Sequence, residues 1–172
     1  MRKVNHLLLS FFAALSLVAF VSCSSDDEEE STTSVKIVEI THSVNLSDDF
    51  YKFFDIEVQF TSSSNNVTTK MATKNDVVKL EFSPSSAPKE VLLNVTARPK
   101  NPMPDIDNSA KYTFEKNINL VVVGYTSSKK DAYLFHYSSP VKNSQSFTGE
   151  KARQYVAKEH ALYKHSYTVP QQ

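Results

Sequence analysis

The chain has 172 residues, with 19 Lys and Arg against 19 Asp and Glu, one cysteine, two glycines and no tryptophan. The length suits one domain with a real core behind a leader, and the even charge balance gives no footprint for nucleic acid. A lone cysteine excludes an internal disulfide and a cysteine-based zinc site, and Gly124 and Gly149 alone cannot make a glycine-rich phosphate loop.

The first elements are those of a leader. Met1, Arg2 and Lys3 are followed by an apolar run over residues 7–22, interrupted only by Ser10 and Ser16. As a helix that run spans roughly 24 Å, short of the roughly 30 Å hydrocarbon core of a membrane. A basic start, an apolar centre and a small-residue end predict a signal peptide over residues 1–22. The ending Phe20, Val21, Ser22, Cys23 resembles the lipobox of bacterial lipoproteins, with Phe20 where Leu is usual. Asp26, Asp27, Glu28, Glu29 and Glu30 then resemble the acidic surface-export signal of Bacteroidota lipoproteins.

Together these resemblances imply that Cys23 is lipidated and becomes the new N-terminus. They also imply a protein anchored in the outer membrane and exposed at the cell surface. Residues 23–34 contain nothing that can build a core, so they read as a charged tether. Its reach is at most about 40 Å. Residues 34–172 hold 17 Lys and Arg against 14 Asp and Glu, a net of +3.

Residues 35–172 read as a single β-rich domain. Residues 35–40 are rich in β-branched side chains and predict a first strand. Asn45, Ser47, Asp48 and Asp49 predict a turn. Phe54, Ile56, Val58 and Phe60 alternate with polar residues, the clearest strand in the chain. Shorter strands follow around Val67, Thr69 and Met71, then Val78, Leu80 and Phe82, then Val91, Leu93, Val95 and Ala97. Residues 99–109 form a proline-marked loop. Residues 112–125 make a long β run, apolar on both faces over 120–123, which suggests a central strand covered on both sides or one crossing between sheets. Residues 133–137 are strand-like and aromatic.

The period then changes. Ala152, Tyr155, Val156, Leu162 and Tyr163 recur near helical spacing and predict an amphipathic helix over residues 149–163, with a short strand at 167–169 after it. About seven short strands with regular turns suggest an immunoglobulin-like β-sandwich with one C-terminal helix. The alternative is an α+β fold in which one curved antiparallel sheet cradles that helix.

Candidate sites are few. Tyr133, Phe135 and Tyr137 share one face of a regular strand; exposed, they could stack on a sugar or a protein, and buried, they are core. Asp105 and Asp107, with Asn108 and Ser109, alternate oxygen ligands as calcium sites do, but Ala110 and Lys116 stand where an EF-hand needs Gly and Glu. His42, His136, His160 and His165 lack the spacing of a metal site or a catalytic triad. No cofactor motif stands in the chain. The expected function is a non-catalytic surface module that binds a glycan or an envelope protein. The competing readings are an assembly subunit of an envelope complex and a hydrolase whose site is built from distant loops.

Overall fold

Alternation of apolar and polar side chains carries almost the whole architecture. In the computed structural model, which describes residues 34–171, it yields two antiparallel sheets of four strands each. The elements in chain order are β1 (Ile37–Leu46), α1 (Asp48–Phe53), β2 (Phe54–Ser63), β3 (Asn66–Ala72), β4 (Asp76–Phe82), β5 (Glu90–Pro99), β6 (Lys111–Tyr125), β7 (Tyr133–Thr148), α2 (Gly149–Val156) and β8 (His160–Thr168). A single 3-10 turn, Pro84–Ser86, lies between β4 and β5.

One sheet has the order β4-β1-β6-β7 and the other β3-β2-β5-β8. Two of the seven connections are hairpins, β2–β3 and β6–β7, and the other five cross between the sheets. The fold is therefore the β-sandwich expected, with eight strands. Its likeness to an immunoglobulin domain lies in size and layering. The first two strands of such a domain share a sheet, whereas β1 and β2 here lie in different ones.

The core is the inward half of each strand. Val91, Leu93, Val95 and Ala97 of β5 are fully buried, and they face Ile40 and Val44 of β1 and Ile118, Leu120 and Val122 of β6 across one hydrophobic cluster. The long β run is β6, a central strand that pairs with β1 on one side and β7 on the other; on its outward face Val123 is buried and Val121 half-buried, while Glu115 and Asn117 are exposed. Without tryptophan, one end of the sandwich is filled by rings: Phe50, Phe53, Phe54, Tyr112 and Phe114 lie with centroids 5.1–6.3 Å apart. Such pairs add about 0.5–1.5 kcal/mol each beyond their area.

Two sequence expectations change. Residues 48–53 form α1 instead of a plain turn. Asp48 and Asp49 sit in its first turn and Lys52 in its last, complementing the helix dipole. Phe50 and Phe53, three apart, are buried beneath it. Ser47 fastens this helix to β6, donating to the Thr113 carbonyl at 2.6 Å and accepting from the Glu115 amide at 3.0 Å.

The helix expected over residues 149–163 stops at Val156, and Leu162 and Tyr163 belong to β8. The register of β8 on β5 shifts between Val95 and Thr96, so Leu162 is an extra residue. A bulge lets two successive side chains be buried, which imitates helical spacing.

The strand directions give the sandwich two distinct ends. Lys36 donates its amide to the Tyr125 carbonyl at 2.7 Å, Ile37 pairs with Tyr125, and Tyr125 pairs with Tyr133. The chain thus enters at the end that carries the β6–β7 connection. Helices α1 and α2, and the loop of residues 100–110, lie at the far end.

Candidate functional site

The aromatic trio of β7 is divided by a bulge. Gly124 pairs with Phe135 but Tyr125 pairs with Tyr133, leaving Leu134 extra. A one-residue slip sends every later side chain to the other face. Phe135 and Tyr137 accordingly pack against the core. Tyr133 stands outward at 62 % exposure with Leu134 at 46 %, its ring 5.8 Å from that of His136.

Phe135 lies flat on Gly124, where any Cβ would collide with its ring. Tyr137 stacks on Tyr167 at 4.0 Å and is hydrogen-bonded to His165 of β8. Tyr163 donates to the Ser139 carbonyl at 2.7 Å. Tyr137 and Tyr163 therefore brace the edge strands β7 and β8 of opposite sheets.

The proline loop folds on itself. Asp107 accepts from the Ser109 amide at 2.8 Å and the Ser109 hydroxyl at 2.7 Å. Those bonds hold its carboxyl below the ordinary range. Asp105 makes no such contact, and among the described residues no three His, Cys, Asp or Glu side chains gather as a metal site. Cys23 and the acidic residues Asp26, Asp27, Glu28, Glu29 and Glu30 lie outside the described residues.

The histidines scatter. His42 is buried in β1, and His136 is exposed beside Tyr133. His165 joins the Tyr137 brace, and His160 opens β8 at the far end.

At that far end the sheets part beside β7 and leave a cleft of about 160 Å³. Phe50, Phe114, Lys116, Asn143, Gln145 and Tyr155 line it. Lys116 donates to the Leu162 carbonyl at 2.6 Å, and burial lowers its pKa. His160 stacks on Tyr155 at 4.2 Å and donates Nε2 to the Tyr155 carbonyl at 2.8 Å. Burial raises the pKa of the Tyr155 hydroxyl.

Asn143 and Gln145 occupy inward-phase positions of β7, between Val141 and Phe147. Each amide brings a donor and an acceptor together, and both side chains remain solvent-exposed. Sequence reading passed over these two. The signal was there, since polar residues stand at 143 and 145 in the apolar phase of a strand.

Other hollows among the described residues are wider, one of them of about 230 Å³ among Asn45, Ser47, Glu115 and Lys142. One of about 570 Å³ lies at the entry end, among Thr61, Ser64, Asn65, Lys89, Glu90 and Gln171, with no aromatic ring in its lining. One of about 340 Å³ lies beside Tyr51, Met71 and Lys100. The β7–β8 cleft joins aromatic rings, the amides of Asn143 and Gln145 and the cation of Lys116. No protein-family model, curated protein or solved structure matches this chain.

Proposed function

We propose that this chain is a lipid-anchored protein of the outer membrane, exposed at the cell surface. Its sandwich is a non-catalytic module that binds a glycan or a protein ligand. The address rests on the leader: a basic start, an apolar centre, Cys23 after Val21 and Ser22, then the acidic run. The observation that carries the binding role is the far-end cleft, where the amides of Asn143 and Gln145, without a hydrogen-bond partner among the described residues, line the same hollow as Phe50, Phe114 and Tyr155. Its size admits one ring or one side chain, well below the roughly 300–1,000 Å³ of a drug-sized pocket. Paired donors and acceptors beside an aromatic wall fit hydroxyl-rich groups, so a glycan end suits it best.

The assembly reading has less support. Strand addition needs an open edge, and three of the four edge strands, β3, β4 and β7, are blunted. Lys70 of β3 and Asp76 of β4 point inward and pair at 2.6 Å, while β7 carries Pro140 and Lys142. The hydrolase reading would place Lys116 and His160 in the cleft, yet both donate to backbone carbonyls and no carboxylate lines the walls.

Two measurements test the proposal. Mass spectrometry of the mature protein should find acyl chains on Cys23. A glycan array and a pull-down from envelope extract should give a ligand. Its signal should fall at least about tenfold, about 1.4 kcal/mol, in the Asn143→Ala, Gln145→Ala double variant while the melting temperature holds. Silence in both binding experiments overturns the binding role.

A further inference from the structure

The entry end exposes two apolar side chains in succession. In a regular strand one of any two neighbours turns to the interior. The β7 bulge frees both Tyr133 and Leu134. Tyr133 pairs with Tyr125 and Tyr125 with Ile37, so Tyr133 stands two strand spacings, about 10 Å, from where the chain enters. Lys36 and Lys129 are exposed at the same end.

We infer that Tyr133 and Leu134 form a second membrane contact, seated in the lipid interface beside the anchor. The inference rests on the anchored reading above. From Cys23 to Ser34 the chain is eleven residues long. A chain of that length reaches at most about 40 Å. Strand β6, with 15 residues, runs roughly 50 Å. The tether is shorter than that strand and joins the sandwich at the entry end, so the entry end is the one it keeps within reach of the bilayer.

What the bilayer meets there is a ring with an apolar body and a polar tip, the side chain favoured at membrane interfaces. An apolar neighbour stands beside it, with lysines at the rim whose stems can lie along the surface. The tether supplies a high local concentration, so two side chains suffice for contact without holding a free domain on lipid. The far-end cleft is then presented outward.

The absence of tryptophan gives a clean reporter. Lipidated Tyr133→Trp and Leu134→Trp proteins, and an Asn75→Trp control in the exposed far-end turn, are reconstituted in phosphatidylcholine vesicles with brominated acyl chains. Emission from positions 133 and 134 should shift to the blue and lose more than half its intensity. Emission from position 75 should keep its aqueous colour and intensity.

Equal, unquenched emission at all three positions, with acyl chains confirmed on Cys23 by mass spectrometry, overturns the contact and leaves the anchor standing. An unmodified Cys23 overturns the anchor and this contact with it.

Discussion

His42 occupies a position on β1 where hydrocarbon would serve. It is 2 % exposed, its ring lies 5.1 Å from Phe60, and neither ring nitrogen has a hydrogen-bond partner. Burial, reinforced by the ammonium of Lys70 and opposed by Asp76, lowers its pKa to about 4. The folded protein thus holds the imidazole neutral, while the unfolded chain takes a proton near pH 6.5. Stability from this site is full above the unfolded pKa and falls as pH drops through about 4, a loss of roughly 3 kcal/mol. Urea unfolding at pH 7, 5 and 4 should show that decline, and His42→Leu should flatten it. Equal pH dependence in both proteins would refute the assignment. Glu39 is the reverse case. Burial works to raise its pKa, but the bonds from Lys130 and Lys79 outweigh that and lower it.

Elements succeed or fail by a few special positions. Gly149, with φ +50, turns β7 into α2, and a Cβ there would lie 3.3 Å from the Asn108 carbonyl oxygen. Gly149→Ala should therefore cost about 1–2 kcal/mol, read as a lower melting temperature. Strands β3 and β4 keep their free edges from pairing with other molecules by turning Lys70 and Asp76 inward. Lys70→Val should restore an apolar edge and give concentration-dependent self-association by sedimentation.

The same positions explain which elements could be read from sequence. Strict alternation in β2 and β5 made those strands legible. The two bulges did not announce themselves. One disguised the start of β8 as helix through Leu162 and Tyr163, and the other split Tyr133 from Phe135 and Tyr137. Helix α1 was legible in principle, from Asp48 and Asp49 ahead of Phe50 and Phe53; its turn-forming residues masked it.

For the molecule as a whole, layering followed from alternation, whereas the order of strands did not. Local pattern says which face is wet, and pairing partners depend on contacts distant in the chain. The cleft was illegible for the same reason, since Asn143, Lys116 and Tyr155 meet only when β7, β6 and α2 are assembled.

Five of the seven connections pass from one sheet to the other, and this has a consequence for survival of a cut in the chain. Residues 100–110 form the longest irregular stretch at the far end, a natural target for a protease. Cleavage there would separate β1–β5 from β6–β8 in sequence, yet each fragment owns strands in both layers. The halves are laced together, so the nicked protein should elute from gel filtration as one particle and come apart only in denaturant. A severed backbone would leave the garment buttoned.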